Sequence, residues 1–120
     1  MCTAVRVVVA AADHARRLEL RRAVVTAEWE VVGEADSPEA AYREAVERRA
    51  RFLVLDATAA GSRPEGIVRR LKSVSPNAFV VTVGDLAAAG ADAAVPADGL
   101  DALRDTMRDL LHASGDHAHR

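Results

Sequence analysis

The chain has 120 residues, with 16 Lys and Arg against 18 Asp and Glu, for a net charge of −2. That length suits one domain able to bury a core, and that charge gives no bulk attraction to nucleic acid or to an anionic membrane. Half of the residues are hydrophobic but only 3% are aromatic, so the core must be built from Val, Leu and Ala. Cys2 is the only cysteine, which rules out an internal disulfide and fits a reducing compartment. No charged leader precedes a long apolar region, and no apolar run approaches membrane-spanning length. The expected setting is the cytoplasm.

Val5 to Ala11 is almost wholly apolar and rich in valine, as a central, fully buried strand would be. Asp13 follows, then a helical stretch from about His14 to Ala27. Leu20 and Val24 sit one turn apart there, and Arg16, Arg17, Arg21 and Arg22 are expected on the wet side. Trp29 to Ala35 alternates and carries charge, which reads as an edge strand. Ser37 as N-cap, Pro38 at the first helical position and Glu39 in the first turn open a second helix, with Ala41, Ala45 and Val46 facing inward.

The run Arg51-Phe52-Leu53-Val54-Leu55-Asp56 reads as a third strand, buried on both faces and closed by a carboxylate. Ala57 to Pro64 is a loop by composition. A third helix carries Ile67, Leu71 and Val74 and stops at Ser75-Pro76. Ala78 to Val83 is the fourth strand, with Thr82 near its carboxyl end. Gly84 to Gly90 can hold only a turn or two of helix. Ala91 to Val95 is a weak fifth strand, and Pro96 argues for an edge position. Asp98 or Asp101 is expected to cap a last helix whose Leu103, Met107, Leu110 and Leu111 form one stripe. Gly115 should end it, leaving a domain over residues 1–115 and a loose tail over 116–120.

Strands alternating with helices indicate an α/β domain, a doubly wound parallel sheet with helices on both faces. Five such units in this length suggest the flavodoxin-like strand order 2-1-3-4-5, with a shortened fourth helix. Ligands in such sheets bind beyond the carboxyl ends of the strands, where the order reverses. Asp13 and Asp56 would face each other across that gap.

Asp56 closing the third strand, Thr82 near the end of the fourth, and the phrases Glu30-Val31-Val32-Gly33-Glu34-Ala35-Asp36 and Gly90-Ala91-Asp92 carry a resemblance. The chain resembles response-regulator receiver domains, the CheY-like phospho-accepting modules of bacterial two-component signalling. It is most similar to those that precede LuxR-type helix-turn-helix domains. The resemblance spans nearly the whole chain. It implies that Asp56 is the phosphoacceptor and that Thr82 contacts the phosphoryl group as a switch. It also implies that the Thr58 backbone carbonyl, with Asp56 and Asp13, would hold magnesium.

The departures from that pattern are specific. The acidic pair that should end strand one is Ala11-Ala12, with Asp13 one place late. The lysine expected late in strand five is replaced by Ala97, and the aromatic residue of that strand by Ala94. Ala59-Ala60-Gly61 stands for the usual Met-Pro-Gly.

Moving a phosphoryl group onto a carboxylate gathers negative charge, so the protein's work is positioning and neutralisation. Magnesium wants near-octahedral oxygen ligands, and two carboxylates of which one is displaced make a marginal site. Only Arg63, in the loop after Asp56, suggests itself as a substitute cation. Slow or absent phosphorylation and weak or absent magnesium binding are therefore expected. Each site residue also has a plainer reading: Asp13 as a helix N-cap, Asp56 as a loop cap, Thr82 as a β-branched strand residue.

Two functions follow. One is an atypical receiver in a phosphorelay, meeting a histidine kinase or other signalling protein. The alternative is a phosphorylation-independent pseudo-receiver, a docking or homodimer module whose surface would include Ala87-Ala88-Ala89, Ala93, Ala94 and the last helix. Enzyme motifs are absent: there is no Gly-x-Gly-x-x-Gly turn, Walker loop, Gly-x-Ser-x-Gly elbow or metal-spaced Cys/His set. No helix-turn-helix remains once the strands and helices are assigned, so this domain itself is not expected to bind nucleic acid.

Overall fold

The computed structural model describes residues 4–26, 29–61, 63–84 and 90–118, with side chains of the last helix described through residue 113. Five strands, β1 (Val5–Ala10), β2 (Trp29–Ala35), β3 (Phe52–Asp56), β4 (Phe79–Val83) and β5 (Ala93–Val95), form one sheet in the order β2-β1-β3-β4-β5. Every neighbouring pair is parallel. Helices α1 (His14–Val24), α2 (Pro38–Glu47), α3 (Pro64–Val74) and α4 (Leu103–Ala118) complete the described elements. This is the flavodoxin-like order expected from the alternation. None of the described helices is long and apolar enough to cross a membrane.

The unbroken valine and leucine runs dictate this layering, because a strand apolar on both sides must be covered on both sides. Val8, Ala10, Leu53, Leu55 and Val80 pack with Ala41 and Ala45 of α2 and Ile67 and Leu71 of α3. The intervening residues Val7, Val9, Phe52, Val54 and Val81 pack with Leu20 and Val24 of α1 and Leu103 and Met107 of α4. One residue's step along a strand therefore moves a side chain from the α2/α3 face to the α1/α4 face.

Local signals act largely as expected. Asp13 and Ser37 are the N-caps of α1 and α2, accepting the backbone N–H of Arg16 and Ala40 at 3.2 Å each. In β2 the register to β1 slips by one residue at Val7/Val8, which brings Gly33 opposite Val8. A Cβ at Gly33 would stand 2.5 Å from the Glu44 carboxylate of α2, so a side chain there would have to displace that carboxylate. Lys72, the only lysine, donates to the Ala78 carbonyl at 2.6 Å and to Asp92 at 2.7 Å. The same Asp92 oxygen accepts the Val80 N–H at 2.7 Å. Asp92 thus ties the approach to β5 onto the start of β4 and the end of α3.

Three expectations need correction. The inner face of α3 is Ile67, Val68 and Leu71, while Val74, its last residue, is half exposed. Neither Asp98 nor Asp101 caps the last helix; a 3-10 turn over Leu100–Ala102 leads into it behind Gly99, with no side-chain cap. Nor does Gly115 end that helix, whose backbone runs on to Ala118, within the stretch read as a tail. A glycine costs a helix only about 1 kcal/mol relative to alanine, too little to stop it alone. Residues 85–89, which include Ala87, Ala88 and Ala89 and most of the stretch expected to hold a shortened fourth helix, lie outside the described residues.

Three of the few aromatic residues meet in one stack at the amino ends of the strands. Phe52, fully buried, lies edge-on to Trp29 at 5.3 Å and stacked on Phe79 at 5.0 Å. In a core otherwise made of small aliphatic groups nothing nearby can fill the space it would leave. Phe52→Ala should lower the unfolding free energy by about 3–5 kcal/mol, read from the urea midpoint.

Candidate functional site

Asp56 is the last residue of a strand whose every residue is buried, and it is itself only 3% exposed. Alternation along β3 sends its side chain to the α1/α4 face, with Phe52 and Val54. A carboxylate taken out of water needs compensating partners. Its Oδ2 accepts the Thr58 N–H at 3.1 Å and the Thr58 hydroxyl at 2.6 Å, capping the short 3-10 turn Ala57–Ala59. The Thr58 hydroxyl in turn accepts the Ala12 N–H at 3.1 Å, fastening the end of β3 to the chain leaving β1.

The charge of Asp56 is met by Arg16. Its Nε donates to Asp56 Oδ1 at 3.0 Å, its Nη2 to the Ala97 carbonyl at 2.8 Å, and its Nη1 to Glu19 at 3.2 Å. The parallel crossover after β1 starts α1 at the carboxyl edge of the sheet, and the Asp13 cap holds Arg16 in its first turn. From there the side chain passes over the end of β3 to the loop after β5. Burial works against the guanidinium's charge, but hydrogen bonds and coulombic attraction from Asp56 and Glu19 outweigh it and raise the Arg16 pKa above its ordinary value. Arg17 braces the same region, donating to the Ala11 carbonyl at 2.8 Å and pairing with Glu34 at 3.4 Å.

These groups border an open cleft of about 790 Å³ that includes Asp13, Arg16, Asp56, Thr58, Gly84 and Ala97. Gly84 takes φ +104° as the chain leaves β4, and a Cβ there would come within 3.2 Å of the Ala57 methyl. Glycine and alanine therefore leave that wall of the cleft without functional side chains.

Asp13, Asp56 and Thr58 are thus brought into one cleft. Asp13 turns a carboxylate oxygen to the α1 backbone as its cap. Thr82 is buried elsewhere: alternation puts it with Val80 on the α2/α3 face, and its hydroxyl reaches only the Ala93 carbonyl, at 3.5 Å. Arg63 precedes α3 as an exposed residue and is not part of the cleft wall. The residue that sequence reading missed is Arg16, which was assigned to the solvent face. One signal could have found it. A basic residue three positions after an N-cap, at the start of the first crossover helix, lies beside the gap between β1 and β3.

The donors do not fit a magnesium site. Magnesium takes near-octahedral oxygen ligands, with one or two carboxylates among them. Ala11 and Ala12 offer no carboxylate after β1, and Asp13 is engaged as a cap. Asp56 has three of its roughly four lone-pair directions in use, one of them by a cation. Among the described residues no three His, Cys, Asp or Glu side chains are grouped to hold a metal.

No protein-family model matches the sequence, and neither does any curated protein. Solved structures do match it. The receiver domain of AraT, a response regulator from Geobacillus stearothermophilus, superposes with a TM-score of 0.77 over 97% of this chain and 99% of that one, at 15% identity. The chain has the receiver-domain fold. A LuxR-family two-component response regulator from Aurantimonas gives a TM-score of 0.76 at 20% identity, over 92% of this chain and 87% of that one. A chain of the complex between the CheA3 P1 domain and CheY6 from R. sphaeroides gives 0.74 at 18% identity, over 92% and 98%. In this receiver fold the position of Asp56 is at the carboxyl end of the third strand, beside the reversal of strand order.

Removing either member of the Arg16–Asp56 pair leaves the other charge without its partner. The Asp56 side chain is 4% exposed and that of Arg16 20%, so the loss belongs below the roughly 3–5 kcal/mol of a fully buried pair. Asp56→Asn and Arg16→Met should each cost about 1.5–3 kcal/mol, and the double variant less than their sum by about 1 kcal/mol or more, from urea unfolding of all four proteins.

Proposed function

We propose that this chain is an atypical receiver module of two-component, phosphorelay signalling, acting in the cytoplasm by contact with a histidine kinase or other signalling protein. Asp56 holds the phosphoacceptor position, in a site impaired for magnesium and for phosphoryl transfer. The observation that carries this reading is the buried Asp56 carboxylate at the switch point of a 2-1-3-4-5 sheet, bound to Arg16 and Thr58. One structural neighbour is a chain of the complex between the CheA3 P1 domain and CheY6, and a comparable signalling partner suits the present fold.

The chemistry explains the impairment. To accept a phosphoryl group, an Asp56 oxygen must present a free lone pair in line with the leaving group. Oδ2 already takes two donors, and Oδ1 takes the Arg16 Nε–H, which withdraws charge from the nucleophile. Arg16 also supplies only one positive charge, where a divalent ion and a lysine would supply three. A divalent ion about 4 Å from that guanidinium would meet twice the roughly 4 kcal/mol repulsion of two unit charges at an effective dielectric near 20. Thr82, read as the phosphoryl-contact residue, lies on the other face of the sheet from Asp56, with its hydroxyl against the Ala93 carbonyl. The same three bonds on Asp56 favour a second reading, a pseudo-receiver that docks or dimerises without phosphorylation.

Incubation with a small phosphodonor such as phosphoramidate and magnesium, followed by intact-mass measurement, separates the readings. A slow, partial gain of one phosphate that is lost in Asp56→Asn supports the impaired receiver. No gain supports the pseudo-receiver. Rapid, complete conversion would refute the impairment.

A further inference from the structure

All three guanidinium nitrogens of Arg16 are bonded, and each goes to a different part of the molecule. Nε meets Asp56 at the end of β3, Nη1 meets Glu19 one turn along α1, and Nη2 meets the backbone carbonyl of Ala97 after β5. An arginine on a helix surface ordinarily keeps its head in water and contributes little by an ion pair. Here the side chain is only 20% exposed and its chief partner is buried.

We propose that Arg16 is a built-in counter-cation that closes the Asp56 pocket. Reaching over from α1, it takes the place in front of the carboxylate that a divalent ion would need. Through Ala97 it also fixes the loop after β5 against α1, so the cleft is held in one arrangement with no bound ion. The wider wall does not repel cations, since Asp13, Glu19 and Asp98 border it along with Arg22. Beyond the shortage of carboxylate ligands, what keeps a divalent ion from Asp56 is the guanidinium, both by its charge and by its hold on Oδ1. Take that one charge away and an acidic cleft remains, with a released carboxylate at its floor.

Manganese(II) alone, titrated into the full chain, is the probe, followed by paramagnetic broadening of amide resonances and by calorimetry. Metal binding is read here, not phosphoryl transfer, so this proposal and the receiver reading on which it rests fail separately. Arg16→Met keeps the apolar stem and removes the charge. It should bind manganese more than about tenfold more tightly than the wild type, with broadening centred on residues 56–58. Adding Asp56→Asn to Arg16→Met should abolish that gain. Arg16→Lys keeps the charge and should stay near the wild type. The proposal is overturned if folded Arg16→Met and wild type bind equally, if the gain survives Asp56→Asn, or if Arg16→Lys gains as much as Arg16→Met. Should Arg16→Met fail to fold, Arg16→Gln, which keeps hydrogen-bonding capacity without charge, carries the same two outcomes.

Discussion

A carboxylate at the end of a strand buried on both faces must find its counter-charge inside the protein. Asp56 is in that position, almost without solvent, and its compensation comes from two directions. Thr58 supplies two hydrogen bonds from the following turn, and Arg16 supplies the opposite charge from α1. Those bonds do more than satisfy one side chain. Through Thr58 they join the end of β3 to Ala12, and through Arg16 they join it to Ala97. The rim where β1, β3 and β5 end is therefore braced around a single buried anion.

The receiver fold usually invites thought of a site waiting for an ion and a phosphoryl group. Here the residues at 11, 12 and 97 are alanines, and an arginine from a different element answers the charge of Asp56. The substitution is not equivalent. A guanidinium is planar, permanently charged and tethered, so it forms fixed hydrogen bonds but leaves no open coordination position. A mobile divalent ion does the reverse. The consequence is a cleft whose buried carboxylate already has its hydrogen bonds and its counter-charge from within the protein.

Beneath that rim the fold rests on ordinary means arranged without waste of space. Small aliphatic residues fill both faces of the sheet, the Trp29–Phe52–Phe79 stack closes the opposite end, and Lys72 with Asp92 secures the short last strand. β5 has only three residues, so its backbone pairing alone gives little hold. Asp92, which is bonded to both the β4 backbone and α3, supplies a second attachment. That gives a physical reason for an aspartate just before this strand.

Much of the architecture was legible from residue order alone. Apolar runs at 7–11 and 52–55 required burial on both faces, caps at Asp13 and Ser37 marked where helices begin, and alternation of elements left few parallel orders to choose from. These are local properties, set by side chains within a turn or two of each other. Helix ends near Gly115 and the exposure of Val74 were misread because weak local preferences yield to packing. The partner of Asp56 was of another kind. Arg16 lies 40 positions away, and the one local mark that set it apart from Arg21 or Arg22 was its place three residues after the Asp13 cap. Only the crossover from β1, which lays the first turn of α1 over the end of β3, decided which arginine faces the buried charge. Thr82 was decided the same way, by a pleat that turns it to the other side of the sheet from Asp56. Apolar order along the chain chose the fold; three-dimensional proximity of opposite charges chose what the site is.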